Sequence, residues 1–300
     1  MKLKNYYGYL RLFFVALLIG VASGCDWVWF DAKGPIGKEQ GDLILLTAGL
    51  MLIVVIPVFV MSIAFFYRYR ESNKNAEYDP TFIHSGKAEM VIWGVPIILI
   101  TVLSIISYKA VHKLDPYRPI KHDKPALNIE VVSLDFKWLF IYPEQGVAAV
   151  NELYIPVNTP VTFHITSDTT MSTLSIPYLG GMVYGMGGQR TKLNLLAEEE
   201  GQFFGYSGNY TGVGHSAMRF TTHSVSDEVF TKWVRDAKKS SNYLDFVAFK
   251  KLGERGEMVN HRYPVHPVKY YGRVESGLFR KVIGQYKVLK DLEAVVAKEN

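Results

Sequence analysis

Hydrophobic and polar positions divide the chain into three regimes. As far as residue 110 the apolar residues come in long runs. From Ala126 to about Val225 they alternate with polar residues at a period of two, and beyond Ser226 they recur at helical spacing. The first run, Leu12 to Val21, follows the basic Lys2, Lys4 and Arg11 and leads through Ala22-Ser23-Gly24 into Cys25. That order of basic, apolar and small residues predicts a secretory signal. Its apolar stretch of about 10–13 residues is too short to span a bilayer.

Leu43 to Tyr67 holds no charged residue and is long enough to cross a membrane, ending in the interface anchor Tyr67-Arg68-Tyr69-Arg70. Val91 to Ala110 is a second apolar span, with Trp93 near its start. Pro57 and Pro96 sit inside the spans, which membrane helices tolerate. Two buried helices of a soluble protein are the competing interpretation, and the length of the runs argues against it. With the signal placing Cys25 outside, the first span enters and the second leaves. The short loop between them carries Arg68, Arg70, Lys74 and Lys87, in keeping with the positive-inside rule. Everything after about residue 111 is then outside the cytoplasm.

In the period-two region Leu127, Ile129 and Val131 alternate with polar or outward positions, as do Phe136, Trp138, Phe140 and Tyr142, then Val161, Phe163 and Ile165. Turn signals such as Asn158-Thr159-Pro160, Gly180-Gly181 and Gly187-Gly188 separate them, so the pattern predicts an antiparallel β-sandwich or barrel. Ser226 before Asp227 and Glu228 predicts a helix start, and Leu244 to Leu252 a second short helix. His261 to Tyr271 reads as irregular. Leu278 to Lys298 aligns Val282, Ile283, Tyr286, Leu289 and Leu292 on one face, a final amphipathic helix for a partner or the membrane surface, or one that frays.

Composition sharpens this picture. Charged residues make up 20% against about 25% in ordinary soluble domains, consistent with part of the chain lying in lipid. The net charge of +5 falls to +2 once the three signal cations are removed, which withdraws support for nucleic-acid binding. The single cysteine, Cys25, excludes an intrachain disulfide, a cysteine-rich zinc site and an iron–sulfur cluster. A cysteine directly after small residues resembles the bacterial lipobox, in which the thiol is lipidated. A retained helix with an incidental cysteine is the plainer alternative.

Two spans followed by an outer β-sandwich resemble subunit II of the haem-copper respiratory oxidases, and three motifs carry the likeness. Asp135-Phe136-Lys137-Trp138-Leu139-Phe140-Ile141-Tyr142-Pro143-Glu144-Gln145-Gly146 resembles the aromatic strand of that family's cupredoxin domain. Ile176-Pro177-Tyr178-Leu179-Gly180 resembles its V/I-P-x-L-G turn, and Gly201 through Met218 its copper loop. The resemblance implies two transmembrane helices, a helical hairpin, followed by a cupredoxin-like antiparallel β-sandwich with a C-terminal helical extension. It divides the chain into a lipoprotein signal peptide (1–24), an outer segment (25–42), transmembrane helices (43–67 and 91–110) joined by a cytoplasmic loop (68–90), a periplasmic domain (111–225) and the extension (226–300).

The family's binuclear CuA centre needs two bridging thiolates, two imidazoles and a thioether, soft ligands for a mixed-valence pair. Position by position, the cysteines are Ser207 and Thr211, the carbonyl-donating glutamate is Asn209 and the upstream histidine is Ser172, while His215 and Met218 remain. A hydroxyl is neither soft nor ionised at neutral pH, so these positions predict no CuA and no metal. His215 then reads as a packed or surface histidine, and His164, His223, His261 and His266 lack close metal-type spacing apart from the last pair, which flanks Pro264 and reads as loop. The position two before Trp138, an electron-entry tryptophan in many members, is Phe136.

A subunit II without CuA resembles the quinol oxidase branch, closest to the cytochrome bo type. That implies a structural and assembly subunit with no redox centre and no catalytic residue of its own. Haems and CuB are expected in subunit I, with ubiquinol as substrate of the complex. Oxidase subunit I, the other oxidase subunits and membrane lipid are the implied partners, without cytochrome c or nucleic acid. It also implies a bacterial inner-membrane location with a lipid anchor, palmitate among its lipids, at Cys25. Glu89, seven before Pro96, matches a family glutamate at the mouth of a proton channel. Subunit II of a cytochrome c oxidase and a free-standing lipid-anchored cupredoxin-like protein are the rival readings.

Overall fold

The computed structural model describes residues 28, 30–76, 81, 83–258 and 263–286. The signal and Cys25 lie outside the described residues. Helix α1 spans Pro35–Arg68 and α2 spans Gly86–Lys113. Pro35 opens α1 at a position where its missing N–H costs nothing. Within the spans, the hydroxyls of Thr47, Ser62 and Thr101 turn back onto the carbonyls of Leu43, Val58 and Ile97 at 2.7–2.8 Å, which satisfies these three groups inside the helix. Only Gly37 and Gly41 of α1 are buried, and no residue of α2 is. Their apolar flanks face away from the rest of the chain, which removes the reading as core helices of a soluble protein. At 1.5 Å per residue α1 is about 50 Å long, well beyond a hydrocarbon core of about 30 Å. Its first two turns therefore stand clear of the uncharged span.

The sandwich follows. One sheet has the strand order β12-β3-β2-β1-β5-β8 and the facing sheet β4-β10-β9-β6-β7. The chain runs through β1 (Leu127–Leu134), β2 (Lys137–Tyr142) and β3 (Val147–Val150), crosses to the second sheet as β4 (Glu152–Pro156), and returns as β5 (Val161–Ser167). It then forms β6 (Ser172–Ser175), β7 (Met182–Gly185), β8 (Thr191–Leu195), β9 (Gly201–Ser207) and β10 (Arg219–Val225). Most pairs are antiparallel as the alternation predicts. Within the two facing sheets, two are not: β5 lies parallel to β1, and β10 parallel to β4. The excursion through β4 adds one reversal before the chain comes back beside β1, so β5 must run in the same sense. Between the sheets, Trp138, Phe140, Tyr142 and Phe163 are fully buried with Ile129, Leu153 and Ile155. The Tyr142 hydroxyl donates to the Tyr154 carbonyl and accepts from the Tyr154 N–H, at 2.9 and 2.8 Å. Asn151 makes the left-handed corner between β3 and β4 (φ 57°), and its amide accepts from Trp138 N–H and donates to the His266 carbonyl.

Every residue of β2 is buried, although alternation predicts one solvated face. The outer face is covered by the C-terminal extension. Helix α3 (Asp227–Ala237) is capped by Ser226, as its sequence predicts, and stacks Trp233 on Tyr154 with centroids 4.7 Å apart. Helix α4 (Phe246–Gly253) is capped by Asp245. It starts two residues later than expected because Tyr243–Leu244 (β11) pairs with Arg273–Val274 (β13). The segment expected to be irregular ends in Lys269–Tyr271 (β12), an edge strand on β3. The final helix is described over residues 278–286 (α5), its remainder lying outside the described residues. Its Leu278, Phe279 and Val282 are buried against Val132, Leu139 and Ile141. The described amphipathic face is thus spent on the chain's own sheet, a gain of about 1.5–3 kcal/mol for each large side chain.

Candidate functional site

The loop joining β9 to β10 brings together the six positions that its sequence pattern singles out. Ser172 Oγ lies 4.0 Å and Thr211 Oγ1 3.8 Å from Met218 Sδ, which is itself buried. Ser207 stands at the end of β9, with its N–H donating to the Met218 carbonyl at 3.3 Å. His215 opens a short helical turn, His215–Ala217, and its Nδ1 is buried without a hydrogen-bond partner among the described residues. A thioether and an imidazole nitrogen are therefore still gathered under the loop. The donor set between them is wrong for CuA. Three hydroxyls stand where two bridging thiolates and a histidine would be required, and neutral hydroxyls do not bridge copper; at Asn209 only the main-chain carbonyl of the set is kept. The residues present do not fit that centre.

Hydrogen bonds hold the loop instead. The Asn209 amide nitrogen donates to the Met171 carbonyl at 2.9 Å, and its oxygen accepts from Thr173 Oγ1 at 2.8 Å. Ser207 Oγ accepts from the Thr173 N–H at 3.4 Å and donates to Asn209 at 3.3 Å. These contacts tie β6 to the loop across the place where a metal would otherwise join them. An open cleft of about 440 Å³ lies beside it, lined by Phe204, Tyr206, Ser207, His215, Met218 and Arg219. Phe136 makes the β1–β2 turn at φ 61° and presses its ring onto Gly214, where an added Cβ would come within 2.3 Å of it. The extension covers its other side, with Tyr263 at 4.7 Å between centroids and the Arg255 guanidinium at 5.4 Å.

The turn Ile176–Gly180, singled out by motif alone, is a joint. Lys33 N–H donates to the Tyr178 carbonyl at 2.7 Å and Gly37 N–H to the Leu179 carbonyl at 3.1 Å, so the protruding end of α1 seats on it. A Cβ on Gly180 (φ 82°) would meet the Gly37 nitrogen at 2.6 Å, and one on Gly34 the Leu196 carbonyl oxygen at 2.3 Å. Lys33–Glu199, Lys38–Glu198 and Lys113–Glu39 ion pairs surround the contact. The Asn194 side chain also donates to the Pro116 carbonyl just after α2. Sequence reasoning did not see this joint; its signal is the Gly-Pro-Ile-Gly spacing at the start of α1.

Glu89 lies in the first turn of α2, far along the chain from the loop. Its Oε1 is 3.1 Å from His84 Nδ1, and both side chains are exposed. Among the described residues no cluster of three or more His, Cys, Asp or Glu side chains could hold a metal ion.

Comparison with known proteins gives three kinds of likeness. The family described as cytochrome c oxidase subunit II, periplasmic domain, matches residues 141–225. A cytochrome bo(3) ubiquinol oxidase subunit 2 of Pseudomonas putida is 44% identical over 281 residues, covering 93% of this chain and 87% of the relative. A ubiquinol oxidase subunit 2 of Acetobacter aceti is 46% identical over 280 residues, 91% of this chain and 88% of the relative. Among solved structures, the periplasmic domain of cytochrome oxidase subunit II of Bradyrhizobium japonicum is 23% identical with a TM-score of 0.38, over 41% of this chain and 98% of that one.

Proposed function

The chain belongs to the ubiquinol oxidase subunit 2 family, and on that premise we propose that it is the membrane-anchored structural subunit of a proton-pumping quinol oxidase. The observation that carries this is the copper loop, which is fully folded around hydroxyl and amide side chains at the positions of the bridging thiolates. A subunit so built has no centre to receive electrons from cytochrome c. Electrons then enter elsewhere in the complex, from a lipid-soluble quinol, and haems and CuB belong to subunit I. This chain's work is mechanical: α1 and α2 present their apolar flanks to subunit I and lipid. The joint at Ile176–Gly180 holds the outer domain over it, where Met182, Phe204 and Val213 are exposed.

The sidedness proposed for this reading puts the loop between α1 and α2 in the cytoplasm and the sandwich outside. Cleavage at residue 24 would place a lipid on Cys25 next to the outer surface of the inner membrane. These proposals rest on the signal and lipobox pattern and on the basic loop. Purification of the complex in mild detergent tests the whole reading. Quinol-dependent oxygen uptake, with copper per haem at the level of CuB alone, is expected. Cytochrome c oxidation with near-infrared copper absorption would refute it, and a haem-free protein without partners would favour a free-standing binding protein.

Glu89 is proposed as a proton collector, because an interfacial carboxylate can titrate while facing water. Glu89→Gln is expected to slow quinol-driven proton pumping in reconstituted vesicles while leaving assembly intact. Unchanged pumping at full turnover would reject the role.

A further inference from the structure

We propose that β2 and the C-terminal extension together form a binding site for a multiply charged oxyanion of the phosphate class, in a cleft of about 470 Å³ around Lys137. The site is independent of the electron route and of the membrane orientation. In β2, Trp138, Phe140 and Tyr142 point into the sandwich, so Lys137 shares the opposite face with Leu139 and Ile141, under the extension. Lys137 is only 4% exposed. Its ammonium has three N–H donors, yet among the described residues it meets a single acceptor, the neutral Glu254 carbonyl at 2.9 Å. The nearby Asp135 carboxylate is engaged by Arg255 at 3.0 Å and by Thr169 at 2.8 Å. A buried charge without a counter-charge is costly, and such groups are ordinarily paired.

The rest of the cleft repeats the imbalance. Lys251 and Lys269 line it with Lys137 against one lining carboxylate, Glu254, while Arg255, also in the lining, is already paired with Asp135. Burial holds the Lys137 ammonium below the ordinary lysine range. Burial also lowers His266, and the charges of Lys137 and Lys269 push it down further. Three separated lysines around one cavity suit a polyvalent anion better than a single carboxylate, and lysine binds phosphate as a point charge. The unused donors of Lys137 would complete their hydrogen bonds on that anion.

Equilibrium dialysis of the intact oxidase against radiolabelled inorganic phosphate, at constant ionic strength set by chloride, tests this. Saturable binding at one site per chain is expected, with affinity reduced about tenfold or more in the double variant K251S/K269S, the scale of one lost charge-assisted contact. Lys137→Met should abolish it. Because that variant removes a buried group, the double variant of two exposed lysines carries the test alone if K137M does not assemble. Competition by unlabelled glycerol 3-phosphate separates the sources: stronger displacement than by phosphate indicates an organic phosphate, equal or weaker displacement a free anion. No saturable binding, or equal binding in both variants (an adventitious ion only), overturns the proposal.

Discussion

Replacing Ser172 by His, Ser207 by Cys, Asn209 by Glu and Thr211 by Cys is expected to turn a colourless outer domain into one that takes up copper. The expectation rests on how little of the loop would have to move. Met218 Sδ already sits within 4.0 Å of the Ser172 and Thr211 hydroxyls, and the buried Nδ1 of His215 has no other partner among the described residues. Exchanging oxygen for sulfur changes ligand character more than shape. A thiol beside a metal is deprotonated outright, whereas a hydroxyl is not. The exchange has a cost without metal. Asn209 loses the bond it donates to the Met171 carbonyl, worth about 0.5–1.5 kcal/mol, and histidine at the buried Ser172 overpacks by about 1–3 kcal/mol. The apo variant is therefore expected to unfold earlier than the parent and to recover on adding copper. Near-infrared absorption and copper per haem read the result. A triple variant that keeps Ser207 should bind no copper pair, since one bridge is missing. A folded quadruple variant that stays copper-free would show that the loop has drifted further than its contacts indicate.

Gly180→Ala is the second large effect. Its φ of 82° lies in the left-handed region, which costs an alanine about 1–2 kcal/mol. The new Cβ would also stand 2.6 Å from the Gly37 nitrogen and 2.7 Å from its Cα, both backbone atoms that cannot swing aside. Overpacking of that kind adds about 1–3 kcal/mol. The strain falls on the contact between α1 and the sandwich, so the outer domain is expected to come away from the helix before it unfolds. Gly181→Ala separates the two causes. It shares the positive φ, at 74°, but its Cβ meets only side chains, Leu193 at 3.0 Å and Leu195 at 3.4 Å. Limited proteolysis between residues 28 and 34 and the yield of intact complex should report a much larger loss for Gly180 than for Gly181. Equal losses would mean that backbone conformation, not the seating of α1, sets the cost.

What could be read from the sequence was the chemistry that is local in it. The copper-loop positions lie within one stretch of chain plus Ser172, so the exchange of Ser207 and Thr211 for thiols was visible without coordinates. The spans, the aromatic strand and the Ser226 cap are local patterns too. Pairings between distant segments were not legible. Alternation fixes which face of β5 is buried but not that β5 runs parallel to β1, because that follows from the detour through β4. The apolar stripe at Leu278 to Tyr286 shows that something covers it, without saying that the cover is the chain's own β2. Lys137, a cation opening a strand, reads as a solvated edge residue until the extension is seen folded over it. Gly37 and Gly180 are unremarkable glycines until their backbones are found touching.

The network around Asn209 has a consequence for how the protein is made. The bonds that cross-link its outer loop among the described residues are made by side chains and backbone groups present when translation ends. On the function proposed above, the outer domain is expected to reach its final form with no metal-loading step, so copper-depleted growth should leave its thermal unfolding unchanged.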